Sequence, residues 1–101
     1  MSRVIEYTMV VKPGNYDEVL ALYIDFADSF GLANATEDLI LVTGDSEAGV
    51  IRGIGVFMDD EQASDVVSAS IFERFRDDVA HLLEETPVRE GLELVHVFVK
   101  D

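Results

Sequence analysis

Apolar residues along this chain fall into four short runs and two longer periodic stretches. The short runs are rich in β-branched residues and are apolar at both odd and even positions, which is typical of β-strands. They cover residues 4–11, 39–42, 50–58 and 92–99. The TGDSEAG loop at 43–49 is rich in turn formers. The second and third strands are therefore predicted to form a hairpin.

The two longer stretches repeat apolar residues at helical spacing. The first helix is predicted to begin after Asn15, whose side chain can cap it, and to stop at Gly31. The second is predicted to be capped by Asp59 or Asp60 and to keep its apolar stripe as far as Leu83. Each helix thus follows a strand and leads into another strand.

The resulting order of elements is β-α-β-β-α-β, the ferredoxin-like arrangement of an α+β protein. It predicts a four-stranded antiparallel sheet with both helices on one face. A chain of 101 residues has the size of a single domain. We therefore expect one domain over residues 1–101.

The second face of this sheet raises a question of assembly. An antiparallel sheet with one solvated face should alternate apolar and polar residues, yet LILV, VIEYTMVV and LELVHVFV are apolar on both parities. The chain contains no third layer to cover that face. The simplest cover is the same face of a second copy, so a homodimer is predicted. The alternative is a monomer that exposes an apolar sheet, which soluble proteins seldom do.

The net charge of the chain limits the kinds of molecule that it is expected to bind. The chain has 21 acidic and 7 basic residues, for a net charge of −14, and such a chain repels phosphate groups. Nucleic acid and anionic membranes are therefore not expected as partners. The chain has no cysteine, which excludes thiolate chemistry. Its N-terminal sequence lacks a signal-peptide pattern, and a cytoplasmic location is expected.

An acidic, lysine-poor surface also resembles that of halophile proteins, in which salt screens self-repulsion. Only Lys12 and Lys100 are lysines. On this hypothesis the melting temperature should rise with added salt in a thermal denaturation series. A melting temperature that does not rise would identify an ordinary acidic domain instead.

Two segments carry a family resemblance. The VKPG exit of the first strand, at 11–14, and the run VFMDDEQASDVVSASIFERF, at 56–75, resemble the antibiotic biosynthesis monooxygenase (ABM) family of the dimeric α/β barrel superfamily. The likeness spans nearly the whole chain. It implies a dimeric α/β barrel with a ligand cavity between sheet and helices. It also implies oxygenation of a small aromatic or apolar molecule without a cofactor.

Three positions depart from the patterns of this family. Members often carry a tryptophan at the end of strand three, where this chain has Phe57, and a histidine early in helix two, where it has Val66. Haem-degrading members use an asparagine in strand one, where Tyr7 stands. A haem site is therefore not expected, and no cofactor is predicted. Whether the protein is an enzyme stays open.

Two glycines on one face of the third strand suggest where a ligand would bind. Gly53 and Gly55 leave space beneath the helices if their face meets them. The predicted ligand-binding residues are Tyr7, Met9, Tyr23, Gly53, Gly55, Phe57, Val66 and His96. Alternatively, the glycines admit a bulky helix side chain such as Phe26 or Phe75, or mark a bulge. Catalytic residues are not assigned.

Few polar groups are available for chemistry. Tyr7, Tyr23 and His96 are the candidates, although a lone histidine in a strand, such as His96, is more often a hydrogen-bonded core or interface residue. Two isolated histidines make a metal site improbable. Glu6 interrupts an apolar strand and could pair with Arg52, either at a site or at the dimer seam. The sequence thus leaves three readings: a small-molecule oxygenase, a non-catalytic binding or interaction module, and a filled barrel without a ligand site.

Overall fold

The computed structural model describes residues 3–33, 37–57 and 66–100. Its elements follow in the order β1 Arg3–Val10, α1 Tyr16–Ala33, β2 Glu37–Asp45, β3 Val50–Phe57, α2 Val66–Val79 and β4 Val88–Glu93, with a short 3₁₀ turn at Ala80–Leu82. The strands pair in the order β2-β3-β1-β4, and every pair is antiparallel. The predicted ferredoxin-like α+β fold is confirmed.

The register of the central strands decides which residues face the helices. Tyr7 lies opposite Gly53, and Met9 lies opposite Ile51. These residues belong to the helix-covered face, where Met9 and Ile51 are fully buried. Together with Val19 of α1 they form the centre of the core. The core therefore lies between the sheet and the two helices.

The hairpin between β2 and β3 is confirmed, with a longer second strand than predicted. β2 continues through 43–45 before the chain turns at residues 46–49. The Asp45 carboxylate accepts hydrogen bonds from the backbone N–H groups of Glu47 and Ala48, each at 3.1 Å. Gly49 has a φ of 71°, a conformation that glycine adopts without a steric cost. These contacts fix the register of the hairpin.

The predicted end of the first helix was wrong. α1 begins directly after Asn15, as expected, but continues past Gly31 to Ala33. A C-terminal glycine stops a helix by adopting a left-handed conformation. Gly31 is not among the glycines with positive φ, so the helical hydrogen bonds run through it. The predicted cap of the second helix, at Asp59 or Asp60, lies outside the described residues.

The predicted fourth strand, 92–99, was misplaced toward the C-terminus. β4 is Val88–Glu93, and residues 94–100 have no regular secondary structure. The reason is its pairing: β4 lies at the edge of the sheet beside β1, and Glu93 already lies opposite Arg3, where β1 begins. Among the described residues, the apolar residues after Glu93 pair with no strand. Val95 and Phe98 are consequently 88% and 78% exposed.

The sheet face away from the helices is largely apolar. One row of side chains crosses all four strands through register neighbours: Leu39, Val56, Val4 and Leu92. Leu39 and Leu92 at its ends are 48% and 45% exposed. The neighbouring rows contain Glu6 and Arg52, and Arg52 donates from Nε to the Thr8 hydroxyl at 3.2 Å. Within the chain, Arg52 is therefore held by Thr8 and not by the suggested ion pair with Glu6.

Candidate functional site

A cavity of about 420 Å³ lies between the helix-covered face of the sheet and the two helices. The sheet lines it with Ile5, Tyr7, Ile40, Gly53, Gly55, Phe57 and Arg89. The helices line it with Tyr23, Phe26, Phe30, Ala69, Phe72 and Arg76. This volume lies within the range of small-molecule sites, roughly 300–1,000 Å³.

Gly53 allows a helix side chain to approach the sheet closely. A Cβ atom at this position would overlap the hydroxyl group and ring of Tyr23. The alternative explanation of this glycine therefore applies, although the admitted side chain is Tyr23 rather than Phe26 or Phe75. Gly55 faces the cavity. Gly53 thus makes room for Tyr23, and Gly55 lines the cavity beside it.

Aromatic rings form a continuous wall on the helix side. Tyr23 stacks on Phe26 with ring centroids 5.5 Å apart and an interplanar angle of 8°. Phe26 in turn stacks on Phe75 at 4.7 Å. Tyr7 meets Phe72 edge to face at 5.5 Å. Such offset and edge-to-face pairs hold rings in fixed orientations, so the wall is a preformed surface for a flat apolar ligand.

Two arginines also line the cavity, and sequence reasoning missed both. Arg76 lies with its Cζ 5.8 Å from the ring centroid of Phe72, one helical turn earlier. Arg89 lies opposite Tyr7 in the β1–β4 register. The helical spacing of Phe72, Phe75, Arg76 and Val79 could have placed Arg76 on the inner face. Arg89 could be placed only once β4 was known to begin at Val88.

Tyr7 is the polar group at the centre of these side chains. Burial raises the pKa of its hydroxyl, and the nearby Arg76 and Arg89 guanidinium groups offset that effect only in part. The hydroxyl therefore stays protonated at neutral pH. Tyr7 can donate a hydrogen bond to a ligand, but it is poorly suited to take a proton.

The structure brings five of the eight predicted ligand-binding residues to this cavity: Tyr7, Tyr23, Gly53, Gly55 and Phe57. Met9 shares their face of the sheet but is 0% exposed, packed within the core. His96 lies in the exposed segment after β4, because that strand ends before it. Val66 begins α2, but its side chain lies outside the described part. The assignment of a ligand to these residues remains a prediction.

Within residues 3–33, 37–57 and 66–100, no group of three histidine or acidic side chains could hold a metal ion. No helix in this described part of the chain is both long and apolar enough to cross a membrane. A second groove, beside Arg76 and Pro87, adjoins the cavity.

Fold and cavity together define an α+β protein with a site between a ferredoxin-like sheet and its helices. Solved structures share this fold. One named a "putative antibiotic biosynthesis monooxygenase" from Caulobacter crescentus is 16% identical, with a TM-score of 0.74 over 94% of this chain and 91% of that one. Another of that name, from Nitrosomonas europaea, is 9% identical, with a TM-score of 0.79 over 94% and 91%.

The likeness extends beyond proteins of that name. A conserved protein from Methanosarcina mazei is 12% identical, with a TM-score of 0.78 over 92% of each chain. No protein-family model and no curated protein matches the sequence. The resemblance to ABM proteins is therefore confirmed as a shared fold, and at these identities it establishes the fold alone.

Proposed function

We propose that this protein binds a small, apolar, mainly aromatic molecule between the sheet and the helices. The observation that carries the proposal is the 420 Å³ cavity with its stacked aromatic wall. Preformed apolar cavities with a few polar groups are the usual form of small-molecule sites. Here the polar groups are the hydroxyls of Tyr7 and Tyr23 and the two guanidinium groups.

The reaction that suits such a site is oxygenation without a cofactor. An acidic aromatic substrate can lose a proton and react with oxygen itself. One oxygen atom then becomes a carbonyl of the product, and the other leaves as water with the two hydrogens of an oxidised CH₂ group. The cavity would orient the ring and exclude water. The shared fold with proteins named as monooxygenases supports this reaction, although fold does not fix function.

Non-catalytic binding is the second candidate, and a specific observation favours it. Tyr7 is held protonated by burial, and His96 lies on the exposed C-terminal segment. Neither described residue is therefore placed to act as a base inside the cavity. A binding or interaction module needs no such base, whereas an oxygenase without one requires a substrate that is already acidic.

We further propose that a second copy covers the outer face of the sheet. The apolar row from Leu39 to Leu92 crosses the whole sheet, and the exposed apolar segment 95–99 continues from the same edge. The charges on this face also suit a two-fold partner. Glu6 and Glu90 are register neighbours, and a second copy would offer Arg52 to them reciprocally.

Binding is tested with the neutral fluorophore N-phenyl-1-naphthylamine, in titrations of the parent protein and of Ala69→Phe. Ala69 is exposed on α2 and lines the cavity, so a phenylalanine there should fill the space without disturbing the core. We expect the affinity to fall at least about tenfold, as for the loss of a well-packed ring contact. Ala21→Phe is the matched control, because Ala21 is exposed on α1 and does not line the cavity.

Equal affinity of the parent and Ala69→Phe would contradict the proposed site. The same proteins are then assayed for oxygen uptake with a panel of anthrones and quinols. Oxygen uptake that is lost in the Ala69→Phe protein and retained in the Ala21→Phe protein would support an oxygenase. Binding of the fluorophore without oxygen uptake would favour the non-catalytic module.

A further inference from the structure

Positive charge is concentrated at the cavity against the balance of the whole chain. The chain has only 7 basic residues against 21 acidic ones, yet Arg76 and Arg89 both line this single cavity. Both side chains are exposed, so their guanidinium groups lie at the rim rather than in the core. Both arginines line the cavity together with Tyr7, and Arg89 is the register neighbour of Tyr7 on the adjacent strand, so two like charges and one hydrogen-bond donor belong to the same cavity.

Ion pairing within the described chain does not account for these arginines. Asp77 and Glu85 line a neighbouring groove that also includes Arg76. Even so, over residues 3–33, 37–57 and 66–100 neither arginine forms an ion pair, and the contact found for Arg76 is its position over the Phe72 ring. Two cations that face one cavity and form no ion pair among the described residues are available to bind an anion.

We propose that the ligand is an aromatic carboxylate, whose carboxylate group lies at the rim between Arg76 and Arg89 while its ring enters the cavity. This inference rests on the proposed small-molecule site and specifies its ligand class. A planar guanidinium fork matches a carboxylate with two parallel hydrogen bonds. The protonated Tyr7 hydroxyl supplies a further donor. The stacked rings of Tyr23 and Phe26 then receive the apolar part.

Placement of the two arginines on different elements also fixes the direction of the ligand. Arg76 is on the last turn of α2, and Arg89 is on the edge strand β4. An anion held by both would bridge the helix layer and the sheet at one end of the cavity. The ring would then point toward Gly55 and Phe57. For an oxygenase, this arrangement would hold the reactive carbon of the ring away from water.

The test compares 2-naphthoate with its neutral analogue 2-naphthamide by isothermal titration of the intact protein. The parent should bind naphthoate at least about tenfold more tightly, the gain typical of charge-assisted hydrogen bonds. Arg89→Gln should remove most of this preference, because it should weaken the binding of naphthoate far more than the binding of naphthamide. Arg76→Gln should do the same, and Arg76→Lys should restore part of the preference because it keeps the charge.

Arg74→Gln is the matched control, since Arg74 is exposed on the same helix, does not line the cavity and makes the same change of net charge. It should leave both affinities within about twofold. Equal binding of the two ligands to the parent would overturn the carboxylate inference and leave the cavity proposal standing. If Arg74→Gln and Arg89→Gln lost the preference for naphthoate equally, that preference would depend only on the overall charge of the protein. This result would also overturn the carboxylate inference. Binding of neither ligand would count against both proposals.

Discussion

Gly53→Ala should lower the free energy of unfolding by about 2–3 kcal/mol, the usual cost of overpacking a core. The added methyl group would overlap the Tyr23 hydroxyl and ring. Tyr23 is only 4% exposed and is held by Phe26 and Phe75, so its ring can avoid the added methyl group only by giving up these contacts and moving into the neighbouring cavity. For a domain of this size we expect the melting temperature to fall by roughly 8–20 °C. Urea denaturation and thermal scans measure both quantities.

Gly91→Ala is the control for this substitution. Gly91 also lies on the helix-side parity of a strand, but an added Cβ there would come within 2.8 Å of Arg3 Nη2, the far end of a flexible side chain. That group can move aside, so we expect a change below about 1 kcal/mol. Tyr23→Ala should in addition make Gly53→Ala nearly neutral in a double-mutant cycle. Equal costs at the two glycines, or strict additivity with Tyr23→Ala, would contradict this account.

The two glycines show how far sequence reasoning reaches into the site. Strand parity was enough to place Gly53 and Gly55 on one face and to bring Phe57 and Tyr7 near them. Parity says nothing about which helix side chain lies above each glycine, because that depends on the rotation and position of α1 over the sheet. The sequence therefore left open whether the space was empty. The structure places Tyr23 over Gly53 and a cavity beside it.

The fold could be predicted further than the site because its signals are local. Strand-like runs, helical periodicity and turn residues follow one another in an order that few topologies fit. The error in β4 has the opposite cause. Three of its six residues, VREGLE, are charged and one is a glycine, and all six are exposed. The following run is far more apolar, but strand pairing stops where β1 begins.

That one error also hid Arg89, one of the two charged residues of the cavity. With the strand drawn at 92–99, Arg89 appeared to belong to a loop before the sheet. Once β4 begins at Val88, strand alternation places Arg89 on the face of Tyr7, its register partner. Arg76 was hidden differently, because a charged residue on a helix is usually taken as solvent-facing. Its helical spacing from Phe72, Phe75 and Val79 was the available signal.

Ile54→Glu should convert the proposed dimer into monomers. Ile54 is half-buried on the outer face of β3, between Glu6 on β1 and Leu41 on β2. A glutamate there would lie beside Glu6 and, in a two-fold assembly, would add like charges at the centre of an apolar interface. We expect the dissociation constant to rise at least about a hundredfold, as for central interface positions. Sedimentation velocity over micromolar concentrations measures it.

Ile24→Glu is the matched control, because it makes the same substitution at an isoleucine that is 45% exposed on α1, on the other side of the molecule. It should leave the sedimentation coefficient unchanged, and circular dichroism should show that both variants retain the fold. A parent protein that sediments as a monomer would refute the dimer. If the Ile54→Glu protein stays dimeric, the interface lies elsewhere on the molecule. The exposed segment 95–99 would then be the next place to substitute. Loss of the dimer in Ile54→Glu alone would mean that the outer face of the sheet, on which Ile54 lies, is a contact surface, since no helix or strand among the described residues covers it.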